Sequence, residues 1–306
     1  MKENFEKLGI SVALNTALEK MSIVKPTDIQ SKVIGEILSG KDVVAQSATG
    51  TGKTLAYLLP LLQNINAEKR EVQAVVLAPT QELAMQIFRQ AELLIKNAEL
   101  KIGVAALIGG ANIARQMDKL KTKPQIIIGS SGRIIELNKK GKLNLKATTM
   151  FVLDEVDRMM DDQNLAGVKN VYKLLGTNVQ TMIFSATISN KTVSRADLFL
   201  NEPITVKLTG SAQVKPDITH SYIKVDFRDK VDMVRKLAQS IGIVRGLVFV
   251  NKTDDVKITV SKLQFHKVKV AGLYSGADKM ERKKALEDFA KGKIQLLVAT
   301  DVAARG

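Results

Sequence analysis

The 306-residue sequence contains no cysteine and no tryptophan, and only two histidines, His220 and His266. Disulfides and thiolate zinc sites are therefore excluded, and a histidine-rich metal centre has too few imidazoles. No apolar run approaches the roughly 20 residues that a membrane-spanning helix requires. The opening "MKENFEKLGI" also lacks the apolar stretch of a secretion signal. These absences lead to the expectation of a reducing, cytoplasmic setting away from membranes.

What is present is ordinary for a globular chain: 45% apolar and 25% charged residues, in a length that suits about two domains. The formal net charge is +15, and the basic surplus is denser in residues 211–306 than before them. A polyanionic partner would account for it. So would a merely basic, solvated surface, and charge alone does not choose between them.

Short β-rich apolar runs alternate with helical stretches. The runs at 42–46, 74–79, 125–129, 149–155 and 181–186 read as strands. Leu83, Ile87, Ala91 and Leu94 keep helical spacing between two of them. Buried strands joined by helices imply an α/β fold, a parallel sheet covered on both faces. A second series comes after it, with strands expected at 221–227, 247–250, 268–274 and 294–300 and helices at about 229–240, 253–264 and 278–290. Residues 208–217 carry Gly, Ser and Pro without periodicity and read as a linker. The expected domains are thus 1–207 and 218–306.

After the first strand comes Ser47-Ala48-Thr49-Gly50-Thr51-Gly52-Lys53-Thr54. The glycines permit a tight turn of inward-pointing N–H groups, and a helix starting near Lys53 aims its positive end at the same spot. Lys53 suits the β- and γ-phosphates of a nucleotide, and the Thr54 hydroxyl suits Mg²⁺. The strict pattern has glycine at position 47, where serine stands. About 100 residues on, Asp154 ends a buried strand, at the edge where open α/β sheets bind ligands. It is a candidate to hold Mg²⁺ through water, with Glu155 as general base. Asp157 is open to capping the next helix. Ser185 and Thr187 leave another strand as hydroxyls, either in a relay from the nucleotide or in ordinary turn bonds. Gln30 has two readings. It closes a capping box with Thr27, or its amide reads adenine.

Together these stretches resemble the DEAD-box RNA helicases of the bacterial, short-armed kind. The resemblance runs through the whole chain in the family's order: Phe5 with "KPTDIQ", "SATGTGKT", "APTQELAMQ", Gly109-Gly110, "SSGR" (130–133), "DEVD" (154–157), "SAT" (185–187), "VFVN" (248–251) and "ATDVAARG" (299–306). It implies two RecA-like P-loop domains, the second incomplete, with ATP and RNA bound by both. Phe5, Lys25, Thr27 and Gln30 would serve the adenine side. Ser47 to Thr54 would hold phosphates, Thr54 and Asp154 would hold Mg²⁺, and Asp301 the ribose. Lys53, Asp154, Glu155, Ser185 and Thr187 would form the catalytic set. Pro79, Thr80, Gly109, Gly110, Arg133 and Thr300 would meet the RNA backbone, independent of base sequence.

The implied activity is RNA-stimulated ATP hydrolysis, with cooperative binding of ATP and RNA that closes the domains and pries apart short duplexes; the oligomeric state is left open, with a monomer favoured. Departures from the family pattern stand at Ser22-Ile23 (for glycine and an aromatic), Gln81 (for arginine), Ser130-Ser131 (for threonine-proline, expected to loosen the loop), Val156 (for alanine) and Lys279 (for glutamine). The family continues beyond Gly306 to an arginine-rich motif that neutralises the γ-phosphate. The chain is therefore expected to be the N-terminal part of a longer enzyme, its turnover impaired by truncation. The competing expectation is an ATP-independent RNA-binding or annealing module. A DNA helicase or a small P-loop kinase is disfavoured by "PTDIQ" with "SAT" and by the second domain.

Overall fold

The computed structural model describes residues 4–208, 219–274, 276 and 278–300. Backbone contacts divide the chain into two units, Met1–Pro216 and Asp217–Gly306.

The first unit is built on seven strands: β1 (Val43–Gln46), β2 (Ala74–Leu77), β3 (Val104–Leu107), β4 (Ile126–Gly129), β5 (Met150–Asp154), β6 (Gln180–Ser185) and β7 (Ile204–Lys207). Their order is β3-β4-β2-β5-β6-β1-β7, and every pairing is parallel. All strand C-termini therefore meet one edge of the sheet.

The continuous apolar runs reflect burial on both faces. Ala45, Val76, Ile128, Val152 and Phe184 point into one apolar cluster, shared with Leu14 of α1 (Val12–Lys20), Ile34 of α2 (Asp28–Leu38), Leu58 of α3 (Lys53–Asn64) and Ile87 of α4 (Gln81–Asn97). Their neighbours Val44, Val75, Ile127, Leu153 and Ile183 point into the other. That face is covered by Leu120 of α5 (Ile113–Lys121), Ile134 and Leu137 of α6 (Ser131–Lys139), Val156 and Met159 of α7 (Val156–Met159), Val168 and Val171 of α8 (Leu165–Tyr172), and Ala196 of α9 (Asn190–Ala196). A strand with both faces covered shows no polar alternation.

Two strands lie beyond those read from the sequence. The run of β3 is Val-Ala-Ala-Leu, whose alanines carry little β preference, and β7 is half-exposed at the sheet edge. Where β4 leaves the sheet, a Cβ on Gly129 would lie 2.1 Å from the Leu107 carbonyl oxygen, which accepts from Ser130 N–H at 3.0 Å. Only glycine permits this approach.

The second unit holds α10 (Lys230–Ser240), β8 (Gly246–Val250), α11 (Thr253–Phe265), β9 (Val270–Leu273), α12 (Lys279–Ala290) and β10 (Leu296–Thr300). Its parallel strands run β8-β10-β9. The central strand β10 is buried throughout, whereas edge strand β8 leaves Leu247 and Phe249 exposed at 55% and 59%. The strand expected at 221–227 does not form: residues 219–226 are without regular structure and Tyr222 is 94% exposed. An alternating run becomes a strand only where another strand pairs with it, and among the described residues none does. The linker expected at 208–217 lies, apart from Leu208, outside the described residues.

Candidate active site

Six loops that the sequence singled out leave the same sheet edge. Ser47 to Thr54 come after β1, Ser185 ends β6 with Thr187 beyond it, and Asp154 ends β5. Pro79 and Thr80 come after β2, Ser130 to Arg133 after β4, and Gly109-Gly110 after β3. The strand order sorts them: the glycine loop, hydroxyl pair and carboxylates sit on β1-β6-β5, and the remainder on β2-β4-β3.

The loop after β1 is closed on itself. Gly50 and Gly52 have φ of +77° and +90°, the left-handed region that favours glycine. The Ser47 and Thr51 hydroxyls are 2.7 Å apart, and Thr51 Oγ1 donates to Ala48 O at 2.8 Å. Ser47 N–H donates to Ser185 O at 3.0 Å, fixing the loop to β6. Lys53 opens α3 and folds back, its Nζ donating to the Ser47 and Ala48 carbonyls at 2.7 Å each. Burial lowers its pKa, against the pull of the Asp154, Glu155 and Asp157 charges. Thr49 is exposed at the loop tip.

Asp154 is only 3% exposed. Its Oδ2 accepts from the Tyr57 phenol at 2.8 Å and its Oδ1 from Glu155 N–H at 2.9 Å. Burial raises its pKa, opposed by those two hydrogen bonds and by Lys53. Glu155 has φ +52°, a strained turn of the kind that collects at functional sites. It keeps its carboxylate partly open beside Arg158 Nη1 at 3.6 Å. Asp157 does not cap α7, which starts from Glu155 as N-cap. Its carboxylate instead accepts from Ser185 Oγ and Thr187 Oγ1, both at 2.8 Å. The register pairing Asp154 with Phe184 brings these groups together.

Gln30 forms the capping contact, its Oε1 accepting from Thr27 N–H at 2.9 Å, while its Nε2 donates to Gly52 O at 3.0 Å. A Cβ on Gly52 would stand 2.4 Å from that Nε2, so the glutamine presses directly on the loop after β1. Lys25 and Thr27 are exposed. Phe5 is 2% exposed inside the apolar cluster beneath the sheet, which leaves its ring no open face. Ser22 has φ +61°, the conformation a glycine would take there, and Ile23 packs against the same cluster.

On the other half, Thr80 caps α4, its Oγ1 accepting from Leu83 N–H at 3.1 Å. Gln81 Nε2 lies against the Gly109-Gly110 turn, 3.4 Å from where a Cβ on either would stand. Arg133 donates through Nη1 to Ala111 O at 3.3 Å and pairs through Nε with Glu136 at 3.0 Å. Ser131, where a looser loop was expected, opens α6 and sets its Oγ 2.6 Å from the Cβ position of Gly167 on α8. Val156 is fully buried. In the second unit Thr300 ends β10 and is 6% exposed, while Asp301 lies outside the described residues.

A family model described as "DEAD/DEAH box helicase" matches residues 27–196, spanning every motif on that sheet edge. The chain belongs to the DEAD/DEAH box helicase family. A second model, "Helicase conserved C-terminal domain", matches residues 229–306. Among curated relatives of this family, the DEAD-box ATP-dependent RNA helicase CshC of Bacillus cereus is 42% identical over 96% of this chain and 74% of its own length. The probable ATP-dependent RNA helicase YfmL of Bacillus subtilis is 41% identical over 92% of this chain and 74% of its own. The solved structure of Saccharomyces cerevisiae Dbp5 bound to RNA and ADP BeF3 matches with a TM-score of 0.86 and 28% identity, covering 99% of this chain and 77% of that one.

Two positions carry signals that the sequence reading did not use. Tyr57 stands three residues after Thr54 and four after Lys53, the spacing that puts side chains on one helix face. Asp157 lies one strand-end turn beyond Asp154, within reach of the hydroxyls after β6. Among the described residues no helix is long and apolar enough to cross a membrane.

Proposed function

We propose that this chain is an ATP-dependent RNA helicase that couples RNA-stimulated ATP hydrolysis to local separation of short duplexes. The observation that carries the reading is the sorting of motif loops along one sheet edge, nucleotide-type chemistry on β1-β6-β5 and the motifs assigned to RNA on β2-β4-β3.

The donor set fits Mg²⁺. Thr54 and Asp154 offer hard oxygen ligands, and among the described residues no cluster of three or more His, Cys, Asp or Glu forms a cage. Few protein oxygens beside substrate phosphates is the usual arrangement for this ion. When bound, the metal would neutralise phosphate charge. Lys53 exchanges its two loop carbonyls for phosphate oxygens. Glu155 orients and deprotonates the attacking water. Asp157 holds Ser185 and Thr187, so a shift of the carboxylate strand is felt at the hydroxyls after β6 and passed toward RNA. Gln30 and its neighbours Lys25 and Thr27 serve the adenine side, Asp301 the ribose, and Thr80, Gly110, Arg133 and Thr300 the RNA backbone.

The test is RNA affinity with and without a non-hydrolysable ATP analogue, together with ATP turnover with and without RNA. Tighter RNA binding with the analogue is expected. Equal affinity in both states would turn the reading to an ATP-independent RNA-binding or annealing module. Gln81→Arg is expected to strengthen RNA binding and to steepen the dependence of log affinity on log salt by about 0.7, the value for one added phosphate contact on a single strand. A salt titration by fluorescence anisotropy checks it, and an unchanged slope would remove position 81 from the RNA path.

A further inference from the structure

The Tyr57 phenol is fully buried, and the reaction described above gives it no part. Its ring packs on Phe184 of β6, centroids 5.1 Å apart, which accounts for an aromatic at this position. It does not account for the hydroxyl, which a phenylalanine would lack. That hydroxyl donates to Asp154 Oδ2 at 2.8 Å. One buried phenol on α3 thus holds the carboxylate assigned to Mg²⁺ at the end of β5, from the helix that also carries Thr54.

We infer that Tyr57 is a positioning residue that presets Asp154 for a divalent cation. The inference rests on the reading of Asp154, with Thr54, as the metal side of the nucleotide site. An ionised carboxylate only accepts hydrogen bonds, so the phenol donates and fixes the Asp154 side chain from α3. Asp154 Oδ1 is already engaged by Glu155 N–H. With Oδ2 held by the phenol, the carboxylate has one orientation, and a lone pair on each oxygen stays available. Groups that orient metal ligands in this way typically change metal affinity 10–100-fold when removed.

The experiment titrates Mg²⁺ against the affinity of the 306-residue chain for a fluorescent ADP analogue. Tyr57→Phe keeps the ring against Phe184 and removes the hydrogen bond to Asp154. Its Mg²⁺ midpoint is expected to rise about tenfold or more, with the metal-free affinity for the analogue unchanged within about twofold. Leu61→Ala, in the same helix and fully buried, serves as the packing control. It is expected to lower the melting temperature without moving the midpoint. An unmoved midpoint in Tyr57→Phe, or an equal shift in Leu61→Ala, overturns the assignment to Tyr57 alone. If the unaltered chain binds the analogue equally with and without Mg²⁺, the metal reading fails and takes the tyrosine assignment with it.

Discussion

Lys53→Met is expected to weaken ATP binding about 100-fold or more. The unbranched methionine keeps most of the buried stem and removes the charge. In the structure that charge spans the loop, held by the Ser47 and Ala48 carbonyls at 2.7 Å. Both are neutral acceptors that anionic phosphate oxygens displace. A hydrogen bond to a charged partner contributes about 1.5–3 kcal/mol, and about 1.4 kcal/mol is a factor of ten in affinity, so two such bonds give the stated loss. Burial lowers the Lys53 pKa, while Asp154, Glu155 and Asp157 hold the proton on. Calorimetric titration with a non-hydrolysable ATP analogue gives the number, and circular dichroism checks that the variant is folded. Binding within threefold of the unaltered chain would take Lys53 away from the phosphates.

The largest stability effect is expected at Gly129→Ala. The new Cβ would meet Leu107 O at 2.1 Å and Leu107 C at 2.9 Å, both backbone atoms. No side chain can rotate out of the way, so β3 and β4 must part. Forcing a methyl group into a filled site typically costs about 1–3 kcal/mol, and a backbone neighbour puts this case at about 3 kcal/mol or above. For a unit of this size about 1 kcal/mol shifts the melting temperature by about 2–4 °C, so a fall of about 6–12 °C is expected in a thermal melt. Well below the new midpoint, nucleotide affinity should survive within a few-fold, because β3 and β4 carry none of the nucleotide-side loops. A melt within 2 °C of the unaltered chain would mean that the strands separate at little cost.

The sheet was legible because strands covered on both faces write themselves as unbroken apolar runs, and the helices between them keep their own period. "IIIG" and "MFVLD" needed no context. "VAAL" in β3 did, since alanine is at home in either state. "SYIKVDF" failed for the opposite reason: its alternation is a real β signal, but pairing is a property of two segments and only one was being read. At the site, Lys53, Thr54 and Asp154 could be named because a buried strand running into a glycine turn, or ending in a carboxylate, fixes where the adjoining side chains emerge. Gln30 could be given two roles but not assigned one, and the structure shows the capping contact and the pressure on Gly52 in a single amide. The meeting of Asp157 with Ser185 and Thr187 depends on β5 lying beside β6, a fact of topology that no local pattern contains. Tyr57 was hidden because an aromatic on a buried helix face already has a sufficient reason to be there.

The strand order also bears on how such a protein diverges. Three of the positions that depart from the family pattern, Gln81, Ser130 and Ser131, hang from β2 and β4, while Lys53, Thr54, Asp154 and Glu155 hang from β1 and β5. The loops after β2 and β4 can therefore change one at a time while these four side chains stay in place, even with Val156 departing beside Glu155.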